Sequence, residues 1–254
     1  MKFCANLTLL YAELPFLERF KQAAQDGFSA VEIQFPYDYS IADIKAELDK
    51  NQLTLVLINI AAGDLMQGGE GLACVPERMN EFDQALQQCA SYVEALGVSH
   101  VNVLAGRCYE PSRQAEYVDC FLHNLDKAAD CLAPLGVTTT FEAINTLDMP
   151  SFLISTTAQT LWVLEQTNNR SVRAQFDLYH MAKMQQDMAG FIQNHSDKIG
   201  HIQFADTPNR GEPGTGNMDF EKWFGLIEQS GYQGYVGAEY RPTKATNDTL
   251  AWLK

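Results

Sequence analysis

The chain has 254 residues, of which 18 are basic and 32 acidic, so its formal net charge is −14. This balance excludes nucleic acid as an expected partner, because phosphate binding needs a net basic face. It also argues against adhesion to an anionic membrane. The longest near-apolar run, ten residues at 53–62, is too short to span a bilayer. A small anionic substrate remains compatible, since a few local cations or a metal can override the mean field.

The cysteines and the N-terminus indicate the compartment. Six cysteines occur, but none forms a CxxC pair, and their spacing is not that of a disulfide framework. The first six residues become polar too early for a signal peptide. We therefore expect a cytoplasmic protein with reduced thiols. The oligomeric state is left open, and a homo-oligomer is compatible with the sequence.

Short β-branched runs alternate with longer amphipathic segments along the whole chain. The short runs predict eight strands, at residues 3–8, 30–35, 53–60, 100–104, 137–143, 172–177, 199–205 and 235–240. Helical spacing of apolar residues predicts helices at 16–24, 41–48, 77–96, 112–132, 156–166, 181–195 and 220–229. Ser40 is the expected N-cap of the second helix. Glycine stands just past four helix ends, where a left-handed residue is favoured, at Gly27, Gly97, Gly136 and Gly231.

This alternation predicts an α/β fold with a parallel sheet. Eight strands in 254 residues give about 32 residues per strand–helix unit, the size that a closed (β/α)₈ TIM barrel requires. A doubly wound open sheet needs only five or six strands and leaves two unexplained. No linker or low-complexity tract divides the chain, so we expect residues 1–254 to form one barrel domain.

Polar residues stand out late in the last four predicted strands: Glu142, Asp177, Gln203 and Glu239. Active sites of such barrels form at the C-terminal strand ends, so these four side chains are expected to converge there. Three carboxylates brought together would repel one another, and a divalent cation would relieve that repulsion. Carboxylate and amide oxygens suit Mg²⁺ or Mn²⁺ better than zinc or copper. The alternative is that each residue is a local cap or a strand-end polar group.

Two loop residues are candidates for substrate binding. His180 lies three residues beyond Asp177 and can donate a hydrogen bond to a substrate oxygen or carry a proton. Arg210 lies in the Pro- and Gly-rich loop 206–216 and can grip a carboxylate with two hydrogen bonds. For both, an ordinary solvated loop residue is the alternative interpretation.

Other polar and glycine-rich positions are interpreted as structural. His201 has the same strand parity as Gln203, and we expect a hydrogen-bonded core histidine rather than a metal ligand. Glu32 in the second strand is expected to pair with a neighbour. Residues 63–71 carry four glycines without phosphate-binding spacing, which favours a mobile lid.

Several segments together resemble one family. They are residues 3–8, 32–37, 141–143, 175–180, 201–203 and 231–240, and they are similar in order and spacing to the hydroxypyruvate isomerase family, which includes 2-oxo-tetronate isomerase. The wider group is the xylose-isomerase-like TIM barrels. The resemblance implies that Glu142 and Glu239 are the proton donor and acceptor, and that both hold the metal together with Asp177 and Gln203.

The resemblance also bears on the remaining candidates. His180 and Arg210 match positions that contact substrate in related ketose epimerases. Gln203 stands where those epimerases usually have histidine, which fits the isomerase branch.

The expected function is a metal-assisted aldose–ketose isomerisation of hydroxypyruvate to and from 2-hydroxy-3-oxopropanoate (tartronate semialdehyde). Glutamate-mediated proton transfer would pass through an enediolate. The main alternative is 2-oxo-tetronate isomerisation, and a hydride shift is an alternative to proton transfer. Ketose 3-epimerisation and a non-catalytic sugar-acid-binding barrel are weaker alternatives. An endonuclease of this barrel group would need a histidine cluster for several zinc ions, and the chain has only five histidines.

Overall fold

The computed structural model describes residues 1–253. Eight parallel strands pair in chain order, and β8 closes the barrel by pairing with β1. The fold is thus the predicted (β/α)₈ TIM barrel. The strands are β1 Lys2–Asn6, β2 Ala30–Ile33, β3 Thr54–Asn59, β4 His100–Val103, β5 Thr138–Glu142, β6 Arg173–Asp177, β7 Ile199–Phe204 and β8 Tyr235–Ala238. The helices are α1 Phe16–Gln25, α2 Ile41–Asn51, α3 Met79–Leu96, α4 Gln114–Leu132, α5 Thr157–Gln166, α6 Leu178–Lys183, α7 Met188–His195 and α8 Phe220–Gln229.

All eight predicted strands are present, with ends that differ by at most two residues. The local signals for helix ends are confirmed as well. Ser40 caps α2, because its hydroxyl accepts a hydrogen bond from the backbone N–H of Asp43. The four glycines predicted past helix ends all have positive φ, at 100°, 68°, 75° and 79° for Gly27, Gly97, Gly136 and Gly231.

The prediction of one helix over 181–195 is wrong. The segment forms two helices, α6 and α7, separated by Gln185, whose φ of 53° cannot continue a helix. Each helix has its own N-cap: Asp177 accepts from the N–H of Tyr179 at 2.7 Å, and Asp187 accepts from the N–H of Gly190 at 2.9 Å. α6 therefore begins directly at the end of β6, which fixes the position of the residues following Asp177.

The barrel interior contains a buried polar layer centred on Glu32. This carboxylate receives hydrogen bonds from Gln203 at 2.6 Å and from Asn6 at 2.9 Å, and it pairs with Nε2 of His201 at 2.6 Å. Burial opposes its charge, but His201 and these donors outweigh burial and lower the pKa of Glu32. His201 is a hydrogen-bonded core residue and Glu32 pairs with its neighbours, as predicted.

Gly237 in β8 leaves the space that Glu32 occupies. A Cβ at this position would lie 2.5 Å from Oε2 of Glu32.

Among residues 1–253, no helix is long and apolar enough to cross a membrane.

We expect Gly237→Ala and Gly225→Ala to change stability in opposite directions. The added methyl group of Gly237→Ala collides with the buried Glu32 side chain and should lower the free energy of unfolding by about 1–3 kcal/mol. The second lies inside α8, where an added Cβ meets no atom within 4 Å, and should gain about 0.5–1 kcal/mol. Thermal unfolding followed by circular dichroism measures both, at about 2–4 °C per kcal/mol for a protein of this size. Equal melting temperatures for the two variants would contradict this packing account.

Candidate active site

The C-terminal ends of β5 to β8 bring the predicted polar residues to one mouth of the barrel. Glu142 ends β5, Asp177 ends β6, Gln203 lies in β7, and Glu239 directly follows β8. Each of the four is at most 4% exposed. Two of them, with His180 and Arg210, line a cavity of about 210 Å³. Wider depressions of about 760 and 820 Å³ lie elsewhere on the surface and hold none of these residues.

Arg210 is the cation at the centre of this acidic site. Its Nη2 donates to Oε2 of Glu239 at 2.7 Å and lies 3.8 Å from Oδ2 of Asp177. The guanidinium also sits over the ring of Tyr179, 5.3 Å from the ring centre. The backbone of Arg210 is held in the left-handed region, at φ 60°, and its carbonyl accepts from the N–H of Arg241. The loop thus delivers its arginine directly onto the carboxylates.

Burial is the main cause of the altered acidity of the three carboxyl groups. It raises the pKa of Glu142 well above the ordinary value, and the charges of Glu239 and Asp177 raise it further. Burial also raises the pKa of Glu239 to about 7, although Arg210 acts in the opposite direction. The pKa of Asp177 is raised by burial against the effects of Arg210 and of two backbone N–H groups. The three groups resist being charged together unless a further cation is present.

His180 is held as a neutral hydrogen-bond donor toward the carboxylates. Oδ1 of Asn145 accepts from the N–H of Asp148 at 2.8 Å, so the amide nitrogen of Asn145 faces Nδ1 of His180 at 2.7 Å. Nδ1 is therefore an acceptor, and Nε2 carries the proton. Nε2 lies 3.7 Å from Oε1 of Glu142 and 3.6 Å from Oδ2 of Asp177. Burial, helped by Arg210, lowers the pKa of His180 well below its usual value.

Gln203 is in register with Asp177, and both ends of its amide are hydrogen-bonded within the protein. Its Oε1 accepts from Nε2 of Gln175 at 2.6 Å, and the same nitrogen lies 3.2 Å from Oε2 of Glu142. The amide of Gln175 therefore stands between Gln203 and Glu142. Sequence reasoning missed Gln175, although its position two residues before Asp177 places it on the same face of β6.

Two further polar residues that sequence reasoning missed support Glu239. Nε2 of Gln34 and Nδ2 of Asn6 both donate to its Oε1. Asn6 ends β1 and Gln34 follows β2, so the first strands also carry polar residues at the mouth. That strand-end position is the signal that could have identified them.

The donor set at the mouth fits a divalent cation. Glu142 and Asp177 each present one carboxylate oxygen as a candidate ligand atom, and these oxygens lie within 4.8 Å of each other and of a ring nitrogen of His180. Because Nε2 of His180 carries the proton, this side chain is a hydrogen-bond donor beside the site rather than a ligand. Oε1 of Glu142 and Oδ2 of Asp177 are buried without any hydrogen-bond partner. Buried carboxylate oxygens left unpaired are costly, and a cation between them removes that cost.

A second cluster among residues 1–253 does not fit a metal. Cys4, Glu32 and His201 also lie close together, but both oxygens of Glu32 already accept hydrogen bonds. Each of the two clusters contains a single histidine. That composition does not match the histidine-rich centre expected of an endonuclease with several zinc ions.

Comparison with known proteins agrees with this geometry. Residues 20–254 match the family model described as xylose isomerase-like TIM barrel. The chain belongs to this family. Hydroxypyruvate isomerase of Escherichia coli (strain K12) is 38% identical over 253 residues, covering 100% of this chain and 98% of that protein. The 2-oxo-tetronate isomerase of Cupriavidus necator is 37% identical, covering 100% of this chain and 97% of that protein.

A solved structure gives the same fold over nearly the whole chain. It is described as AP endonuclease, family 2, from Brucella melitensis, and it superposes with a TM-score of 0.95 at 36% identity, covering 99% of this chain and 97% of that one. Both relatives named above are isomerases, and the chain matches nearly their full length. This family member is therefore an enzyme of the isomerase class.

The raised pKa of Glu239 predicts a pH dependence of stability in the presence of a chelator. Between the ordinary pKa of a glutamate and about 7, the folded protein binds more protons than the unfolded chain. Stability is therefore lost as the pH rises through about 7. We expect the melting temperature of the wild type to fall from pH 6 to pH 8, and to fall less in Glu239→Gln.

The matched control is Glu221→Gln, which removes an exposed carboxylate in α8. It should keep the pH dependence of the wild type. His180 acts in the opposite direction below its unfolded pKa, but it is present in all three proteins and cancels in the comparison. An identical fall in Glu239→Gln and in the wild type would overturn the assignment of a raised pKa to Glu239.

Proposed function

We propose that this protein interconverts hydroxypyruvate and 2-hydroxy-3-oxopropanoate. The observation that carries the proposal is the pair Glu142 and Glu239, two buried carboxyl groups that line one small cavity beside unpaired carboxylate oxygens. A cavity of about 210 Å³ is below the ~300–1,000 Å³ typical of drug-sized ligands, so it suits an acid of three or four carbons. The E. coli relative bears the name of this activity.

A divalent cation, Mg²⁺ or Mn²⁺, belongs to the proposal. Glu142, Asp177, Gln203 and Glu239 would hold it, and it would supply polarisation of the substrate carbonyl. Gln203 would join this set through its Oε1, which would bind the cation in addition to, or instead of, accepting from Nε2 of Gln175. The unpaired oxygens of Glu142 and Asp177 are the main support for a cation in this place.

The two glutamates would move the proton between neighbouring carbons. One removes a proton from the carbon that bears the hydroxyl group, and the other returns a proton to the former carbonyl carbon, with an enediolate between the two steps. The hydroxyl proton passes to the former carbonyl oxygen, so that the new carbonyl and the new hydroxyl group both form. Nε2–H of His180 points toward the same space and would donate to a substrate oxygen as negative charge develops there. Arg210 would steady the carboxylate of Glu239 through their 2.7 Å bond and help to bind an anionic substrate.

The second candidate is isomerisation of 2-oxo-tetronate. The Cupriavidus necator relative carries that name at nearly the same identity and coverage. The chemistry is the same with one more carbon, so the two candidates differ in the length of acid that the cavity accepts.

Substitution of the glutamate pair tests the proton route. We expect Glu142→Gln and Glu239→Gln each to lower kcat by about 10²–10⁴-fold, the contribution typical of a positioned acid or base. Glu221→Gln should retain wild-type kcat. In D₂O the wild type should place one deuterium on the product carbon. Product without deuterium would show a hydride shift, and turnover that survives both substitutions would rule out the glutamate mechanism.

A paired assay tests the metal and the substrate. Chelation should abolish turnover, and Mg²⁺ or Mn²⁺ should restore it, because the unpaired oxygens bind the cation. We expect kcat/KM to be at least about tenfold higher for hydroxypyruvate, since a pocket of fixed size discriminates one carbon by roughly 10–200-fold. A higher value for 2-oxo-tetronate would select the second candidate, and full activity after chelation would remove the metal from the mechanism.

A further inference from the structure

Arg107 follows β4 and its side chain lines the cavity at the barrel mouth. Its backbone N–H donates to the carbonyl of Glu70 at 2.9 Å, and it forms an isolated β-bridge with Phe152. The preceding Gly106 has a φ of 93°, and a Cβ there would lie 2.5 Å from the carbonyl oxygen of Glu70. Two neighbouring segments, at Glu70 and at Phe152, thus determine where the chain presents Arg107.

The guanidinium of Arg107 has few partners within the protein. Nη1 donates to the hydroxyl of Tyr109 at 2.8 Å, whereas Nε is buried without a hydrogen-bond partner. Among residues 1–253, no carboxylate forms an ion pair with Arg107. Two other arginines differ: Arg78 pairs with Asp64 and Glu81, and Arg113 pairs with Glu77 and Glu116.

An unpaired, half-buried guanidinium in a cavity is incompletely satisfied. Each buried donor without a partner costs free energy, and a planar carboxylate can accept two N–H bonds from an arginine at once. Nε of Arg210 is also buried without a partner, but its guanidinium already donates to Glu239 and lies 3.8 Å from Asp177, so Arg210 is less available for this task. Arg241 lines the same cavity but is exposed.

We propose that Arg107 binds the carboxylate of the substrate and selects hydroxy-oxo acids over neutral sugars. The inference rests on the proposed function and deepens it, because it names the residue that recognises the acid group. With the carboxylate held by Arg107, the hydroxyl and carbonyl carbons extend toward Glu142, Glu239 and His180, which line the same cavity.

The test uses D-glycerate, an acid without a carbonyl to isomerise, and glycerol as its neutral counterpart. Calorimetry on the full-length protein with Mg²⁺ compares the wild type with Arg107→Met and Arg107→Lys. Arg170→Met is the control: it removes the same charge from an exposed position just before β6, at the opposite end of the barrel. The KM and kcat for hydroxypyruvate are measured on the same proteins.

We expect Arg107→Met to weaken glycerate binding and to raise KM by about 10- to 100-fold, the usual range for a lost charge-assisted hydrogen bond. The affinity and KM of Arg107→Lys should lie between those of the wild type and Arg107→Met, because lysine keeps the charge but lacks the paired N–H donors of the guanidinium. Arg170→Met should match the wild type, and weak glycerol binding should be the same in every protein. Circular dichroism and the thermal midpoint show whether each variant folds. If Arg107→Met does not fold, the comparison of Arg107→Lys with the wild type tests the inference.

Glycerate binding within twofold of the wild type in folded Arg107→Met would overturn the inference, and so would a wild type that binds glycerate no better than glycerol. Failure of the proposed function looks different. In that case hydroxypyruvate and 2-oxo-tetronate are not turned over, while the loss of glycerate binding in Arg107→Met persists and still assigns the carboxylate to Arg107.

Discussion

The site depends on the burial of three carboxyl groups at one end of a closed barrel. Removing such groups from water is costly, and the protein meets only part of that cost through Arg210, which bonds Glu239 and approaches Asp177. Oε1 of Glu142 and Oδ2 of Asp177 remain without a hydrogen bond. The raised pKa values and the fit to a divalent cation both follow from this incomplete compensation.

The layer beneath the site differs from it, because the buried carboxylate of that layer has a hydrogen-bond partner on each oxygen. Glu32 accepts from Gln203, Asn6 and His201, and these contacts fix which atom of each side chain faces Glu32. With its nitrogen on Glu32, Gln203 turns its oxygen toward Gln175 and the mouth. The hydrogen bonds around Glu32 thus orient Gln203 toward the site, and the carboxylate oxygens without hydrogen bonds are found at the cavity.

The charge of the whole chain says little about the charge at the mouth. A net charge of −14 repels anions on average, yet Arg107, Arg210 and Arg241 all line the cavity. In a small enclosed volume these local cations act over a few ångströms, where solvent screens them weakly. An acidic protein can in this way accept an acidic substrate.

The sequence by itself determined the barrel, its eight strands, the glycine helix ends and the convergence of Glu142, Asp177 and Glu239. These follow from local periodicity and from the rule that the C-terminal ends of all strands in a TIM barrel lie on one face, where the active site forms. It did not determine the break between α6 and α7, the position of Gln175 between Gln203 and Glu142, or the lack of an acidic partner for Arg107. Those features depend on which side chains from distant segments meet, because pairing across a barrel is set by loop paths and strand register. Only the tertiary structure decides them.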